Sequence, residues 1–340
     1  MRKLLNTLYV TTPDSYLSKD GQNVVISVRQ QEVFRISVLN IESIVTFGYM
    51  GASPGLMKLC ADSGVSLCFL SPSGRFISRV QGPVKGNVLL RKAQYALADD
   101  EATSLELAKI CIAGKVQNYR NILRRFLRDY GGNEVVESAA SEMDKAKRLI
   151  LACNAKGALR GLEGSAASSY FSAFPQLIIN QQDDFPFAGR NRRPPRDAVN
   201  AMLSLAYTLL ANDVTSALES VGLDPYVGFF HTLRPGRTSL ALDMAEELRA
   251  YMGDRFVLSL INRRQITKQD FICQGEEGVK LTDNGRKIFL SAWQSRKKDM
   301  VTHPFLEEKI PFGLIPFAQA MLMARCIRGD IDTYPVFLVK

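Results

Sequence analysis

Up to about residue 80 the chain alternates short β-branched or aromatic runs with turn signals. The runs fall at 23–28, 34–38, 41–47, 65–70 and 75–80. Asp20-Gly21, Ser63-Gly64 and Ser71-Pro72-Ser73-Gly74 separate them. Gly accepts a positive φ there and Pro presets the first turn position, so these stretches predict strands joined by turns. Over 55–62, Leu56, Leu59 and Cys60 instead follow helical spacing, which predicts one short helix before the 65–70 strand. At Gln81-Gly82-Pro83-Val84-Lys85-Gly86 the pattern breaks, and a 3.6-residue period takes over. It predicts helices at 88–97, 101–129, 134–151, 165–174, 197–212, 238–252 and 311–328. The expected fold class is α+β. A small β-sandwich-like N-terminal domain with one short helix spans 1–82, a linker and first helix 83–97, and a large all-α domain 98–340.

A chain of 340 residues is long enough for two domains, and 46% apolar with 23% charged residues excludes disorder as the main state. The net charge of +9 makes a polyanion the first partner to consider. Cys60, Cys68, Cys111, Cys153, Cys273 and Cys326 form no C-x-x-C pair, so spacing indicates neither a zinc ribbon nor a disulfide framework, and reduced thiols are expected. The apolar stretch after Met1-Arg2-Lys3 is too short and too polar for a signal peptide. The uncharged stretch 164–182 carries Pro175 and Asn180 and is a poor membrane span. A cytoplasmic location and no membrane partner are expected. Phosphate-binding, dinucleotide, serine-hydrolase and zincin motifs do not occur.

Four stretches carry candidate chemistry. On the 238–252 helix, Ala241, Met244, Ala245, Leu248 and Met252 share one face, and Asp243, Glu246 and Glu247 the other. Asp243 and Glu246 are neighbours at i and i+3. They are either a solvated acidic face or part of a site. His231 lies just upstream, and the Pro235-Gly236 turn could fold it over the start of that helix. Imidazole with carboxylates suits a magnesium- or manganese-like cation better than a thiolate site does. Glu163 sits in Gly161-Leu162-Glu163-Gly164-Ser165-Ala166-Ala167, among residues with almost no side chain. That run permits either close approach of a ligand or a tight helix crossing with Glu163 at an exposed start. Asn200, Ser204 and Tyr207 form one polar stripe on the otherwise apolar 197–212 helix, either as a core network or in support of a metal site. Basic residues cluster. Arg120, Arg124 and Arg128 recur at i, i+4 and i+8, with Lys115 shortly before them. Arg190, Arg192, Arg193 and Arg196 form a compact loop suited to backbone phosphates. His303, near Glu307 and Glu308, reads as a loop residue.

Three segments together resemble the CRISPR-associated adaptation endonuclease and integrase, the universal Cas one protein, in wording closest to its type I-C branch. They are Gly161-Leu162-Glu163-Gly164; Arg193-Pro194-Pro195-Arg196-Asp197-Ala198-Val199-Asn200 with Ser204 and Tyr207; and Gly228-Phe229-Phe230-His231 through Asp243, Glu246 and Arg249. The resemblance covers essentially the whole chain. It implies Glu163, His231 and Glu246 as ligands of Mg2+ or Mn2+ and Asp243 as an adjacent or assisting catalytic acid. It also implies that Asn200, Ser204 and Tyr207 stand behind that site. DNA contacts are expected from Arg190, Arg192, Arg193, Arg196, Arg234 and Arg237. The implied reaction joins the 3′-hydroxyl ends of captured spacer DNA to a CRISPR repeat by transesterification. A homodimer built through the β domains is implied, with double-stranded DNA, the small companion Cas two and the iron–sulfur nuclease Cas four as partners. A basic nucleic-acid-binding scaffold without catalysis is the competing expectation.

Overall fold

The computed structural model describes residues 6–48, 50–83, 88–192 and 194–339. The chain forms two compact units. One comprises Met1–Lys85, Arg286–Val301 and Ile310–Leu314; the other comprises Gly86–Gly285, Thr302–Lys309 and Ile315–Lys340.

The first unit is built on β1 (Thr7–Val10), β2 (Ser15–Asp20), β3 (Asn23–Val28), β4 (Gln31–Ser37), β5 (Ser43–Phe47), β6 (Gly51–Ala52), α1 (Pro54–Ser63), β7 (Ser66–Leu70) and β8 (Phe76–Val80). These strands make two four-stranded sheets, ordered β1-β5-β7-β8 and β4-β3-β2-β6. In the first sheet β5 lies parallel to both β1 and β7, while β8 is antiparallel to β7. Leu17, Val24, Ile26, Ile44, Leu56, Cys60 and Leu67 form its core. The alternation Tyr16 exposed, Leu17 buried shows why β2 is a strand although its sequence is mostly polar. Helix α1 starts where the Ser53 side chain accepts from the Leu56 amide, with Pro54 at its first turn, and stops at Gly64 in the left-handed conformation.

The chain order of the units departs from the expected single C-terminal block at 98–340. Residues 286–301 and 310–314 join the β unit, and they include most of α9 (Asp283–Arg296), which the periodicity did not predict. Only Phe289, Leu290 and Trp293 are buried large apolar residues of that helix, too few for a helical stripe among its charges.

The second unit holds α2 (Val88–Asp99), α3 (Glu101–Tyr130), α4 (Glu134–Ala152), α5 (Lys156–Ala173), α6 (Ala198–Val221), α7 (Ser239–Leu248), α8 (Arg255–Asn262) and α10 (Ile315–Arg328). In this unit β9 (Phe271–Cys273) pairs with β10 (Val279–Leu281); a further pair, β11 (Met300–Thr302) with β12 (Lys309–Pro311), has most of its residues in the first unit. Helix α5 begins at Lys156, well before residue 165, because Ala155 offers no capping side chain to mark its start. Helix α6 is capped by Asp197 and runs through Asn212 to a left-handed Gly222. Between α7 and α8 the backbone widens into a π-helical turn, Arg249–Asp254. Among the described residues no helix is long and apolar enough to cross a membrane, and none of the six cysteines is in a disulfide.

Candidate active site

Helix α7 brings the acids in. Asp243, Glu246 and Glu247 are all buried, so the helix has no solvated acidic face. Asp243 does not point at Glu246. Its Oδ2 accepts from the Phe229 and Phe230 amides at 2.7 and 2.9 Å. Its Oδ1 accepts from the His231 amide at 2.9 Å and lies 2.6 Å from His231 Nδ1. The loop 228–231 approaches this closely because residue 228 has no side chain: a Cβ there would stand 2.5 Å from Asp243 Oδ2 and 2.7 Å from the Leu240 nitrogen. Of the two expected roles for Asp243, adjacent to the metal or assisting, this geometry favours the assisting one: its carboxylate holds the Nδ1 edge of His231, which leaves Nε2 turned the other way.

That Nε2 faces Glu246, 3.8 Å from its Oε1. Glu246 Oε2 lies 2.6 Å from Lys115 Nζ, Oε1 pairs with Arg249, and Lys115 also pairs with Glu163. Burial alone would raise the Glu246 pKa, but Arg249, Lys115 and His231 carry it down to about 2. It is thus ionised throughout the physiological range. The Lys115 and Glu246 side chains are each 3% exposed, against 23% for Glu163 and 15% for His231, so the cluster opens on the Glu163 and His231 side.

Glu163 lies inside α5, not at a helix start. The Lys115 ammonium occupies the meeting point of its carboxylate with that of Glu246, and this cationic position fits a metal. Two carboxylates and an imidazole Nε2 are the hard oxygen and nitrogen donors that magnesium or manganese prefers. The expected direct convergence of three ligands is nevertheless not what the side chains adopt. Among the described residues no three of His, Cys, Asp and Glu are grouped to hold an ion, and the lysine stands between the glutamates.

The polar stripe of α6 is arranged around Arg190. Asn200 Oδ1 accepts from Arg190 at 2.7 Å and from the Asn191 amide at 3.0 Å, and Ser204 accepts from Arg190 at 3.1 Å. The Tyr207 ring lies between two guanidiniums, 5.2 Å from that of Arg190 and 5.1 Å from that of Arg249. Its hydroxyl donates to Asp254, whose pKa burial lifts to about 6 despite the hydroxyls of Tyr207 and Tyr170 and the guanidiniums of Arg190 and Arg249. Asn200 and Ser204 therefore reach Glu246 only through Arg190, Tyr207 and Arg249. Arg190 is tied inward to Asn200 and Ser204, with its pKa lowered by burial, a setting that favours a structural role over the expected grip on DNA.

Arg192, Arg196 and Arg234 are exposed, and Arg237 is partly so. Arg193 lies outside the described residues. Burial, followed by Arg234, lowers the Arg237 pKa. The stripe on α3 is an ion-paired surface, since Arg120 binds Asp144 at 2.6 Å and Arg128 binds Asp129 at 2.8 Å. His303 orders its own loop, its Nδ1 accepting from the Phe305 and Leu306 amides at 3.3 and 3.2 Å. Lys115, Arg249 and Asp254 are site residues that sequence reasoning missed. The available signal for Lys115 was a lysine on the apolar Ile112, Val116, Tyr119 side of α3.

Residues 8–295 match the family described as CRISPR associated protein Cas1. The chain is 48% identical over 341 residues to CRISPR-associated endonuclease Cas1 1 of Chlorobaculum tepidum, covering 99% of each. It is 49% identical over 347 residues to CRISPR-associated endonuclease Cas1 2 of Rhodospirillum rubrum, covering 100% of each. A Cas4/Cas1 fusion of Geobacter sulfurreducens is 34% identical, over 98% of this chain and 60% of the fusion. Among solved structures, a Cas1 protein from Thermotoga maritima has a TM-score of 0.82 at 21% identity, over 98% of this chain and 100% of that one. A casposase bound to integration product scores 0.83 at 22% identity, over 97% and 92%. A chain of a Cas6-RT-Cas1–Cas2 complex scores 0.83 at 20% identity, over 98% and 36%. The structures share the fold. With relatives close to half-identical from end to end and a family match running through both units, the chain belongs to the Cas1 family.

Proposed function

We propose that this chain is a divalent-metal-dependent DNA endonuclease and integrase of CRISPR adaptation, which joins 3′-hydroxyl ends of captured spacer DNA to the CRISPR repeat. The observation that carries this reading is the Glu163–Lys115–Glu246 cluster with His231 Nε2 beside it. Glu163, His231 and Glu246 would hold Mg2+ or Mn2+. When bound, such an ion polarises the scissile phosphodiester and favours ionisation of the attacking hydroxyl. The chain's own groups do the rest. Asp243 fixes the His231 ring so that its Nε2 lone pair is turned toward the place the ion would take. The Lys115 and Arg249 cations balance the buried acid. Arg192, Arg196, Arg234 and Arg237 hold backbone phosphates, which gives position and affinity without reading sequence. One phosphoester bond forms as another breaks, so the exchange needs no energy-rich cofactor.

The assigned partners are double-stranded DNA, a second copy of the chain, Cas2 and Cas4, in the cytoplasm where the DNA lies. The named fusion to Cas4 and the complex carrying Cas1 with Cas2 support the last two. Exposed Val33 and Phe34 on β4, with Leu39 just beyond, support a dimer formed through the β unit. Glu163→Ala and His231→Ala are each expected to abolish joining of a 3′-hydroxyl end to a repeat duplex in Mg2+ or Mn2+, with duplex affinity retained. Joining that survives both changes would favour the non-catalytic scaffold.

A further inference from the structure

Residues 334–339, beyond α10, lie as a strap across α3 and α7. Tyr334 and Phe337 are buried anchors, and the polar side chains that meet them, Asn118, Glu247 and Gln319, are all fully buried. The Glu247 carboxylate is spent entirely on this contact. It accepts from the Phe337 amide at 2.6 Å, from Gln319 Nε2 at 3.1 Å and from the Tyr334 hydroxyl. Asn118 of α3 ties three points together: its Nδ2 donates to the Glu247 and Phe337 carbonyls, both at 2.8 Å, and its Oδ1 accepts from the Val339 amide at 3.0 Å. One turn earlier, Val336 fits against the bare Cα of Gly114, where a Cβ would stand 3.0–3.2 Å from the valine side chain.

Two of these contacts fall one residue from the reactive cluster, and Asn118 lies three past Lys115. Gly114 precedes Lys115, and Glu247 follows Glu246. Helix α7 is thus held on both sides, Glu246 by Lys115 and Arg249, and Glu247 by the strap. We propose that the strap sets the reach of Lys115 to Glu246 and Glu163, making Gly114, Asn118 and Glu247 positioning residues for strand joining. A displacement of some tenths of an ångström in α3 relative to α7 would act directly on a separation of 2.6 Å.

This inference rests on the proposed joining activity, and unmodified protein that joins no DNA would strike at that reading instead. The test compares joining rates at saturating repeat duplex, apparent KM and melting temperature for the full chain and its variants. Gly114→Ala is expected to slow joining roughly tenfold with KM unchanged. Adding Val336→Gly removes the crowding but also an apolar side chain, so the double variant should melt lower yet join within about threefold of the unmodified rate. Val339→Pro deletes one strap donor without entering α3, takes a bond from the buried Asn118 Oδ1, and should slow joining while melting no lower than the double variant. Rates that simply follow melting temperature across the set, or a folded Gly114→Ala protein at full speed, would overturn the strap's role. Should Gly114→Ala not fold, a full-speed Val339→Pro protein would overturn it equally.

Discussion

Asp243 carries hydrogen bonds from three consecutive amides and an imidazole, so one buried carboxylate fixes both a loop and a ring. Its dependence on residue 228 gives a sharp expectation. Gly228→Ala places a methyl against backbone as well as carboxylate atoms, which cannot rotate away. Such overpacking costs about 1–3 kcal/mol. Calorimetry should show the lower melting temperature, and joining should fall further than stability does, because His231 loses its fixed ring orientation. A variant with unaltered melting would show that the loop is not held as tightly as described. At this scale the sequence was partly legible. Glu163, His231 and Glu246 stand in a fixed order, and His231 is one of only two histidines; both features survive in a sequence. Where Asp243 points is set by a close backbone approach, which order does not record. Lys115 was visible as a charge but not as the partner of two acids far along the chain.

Among the elements, the π-helical turn at Arg249–Asp254 turns Arg249 back onto Glu246 and places Asp254 under the Tyr207 hydroxyl. A widened turn inside a helical stretch is common at functional sites. It is invisible to a 3.6-residue period, and the 238–252 expectation ran straight across it. The Asp254 pKa of about 6 against an ordinary 3.8 gives a signed consequence. A group whose folded pKa is raised stabilises fully below its unfolded value, and that contribution is lost as pH rises through the folded one. Between pH 4 and 6 the native protein should therefore lose stability relative to Asp254→Asn, which keeps an acceptor for Tyr207 and does not ionise. Denaturant midpoints over that range would show the variant gaining on the parent, and parallel curves would reject the account. Helices α3 and α4 were legible because they have capping side chains, Asp100 and Asn133, and long apolar stripes. The start of α5 has neither a cap nor large residues.

Over the whole molecule, the net charge of +9 foretold an anionic partner, but the charge is not interchangeable along the chain. Arg190 and Arg192 stand two positions apart and should behave oppositely. Arg192→Ala removes an exposed cation, leaving melting unchanged and reducing the salt dependence of duplex binding, by about 0.9 per lost phosphate contact. Arg190→Ala strips partners from Asn200 and Ser204, and should lower melting while barely moving that slope. Equal behaviour of the two would contradict the inward setting of Arg190. The sequence predicts a break after residue 82, where strand alternation gives way to helical spacing, and the first segment of the first unit ends at Lys85. It missed the return of 286–301 and 310–314 to the first unit, since no local pattern says which unit a late helix will join.

That return has a consequence for biosynthesis. A ribosome that has delivered the β strands through residue 83 must still polymerise past residue 314 before every part of their unit exists. At about 5–20 residues per second this is a delay of roughly 10 to 45 seconds. Throughout that interval the nascent strands wait for residues 286–301 and 310–314, and a transcript truncated at codon 285 would leave the first-made part of the protein permanently unfinished.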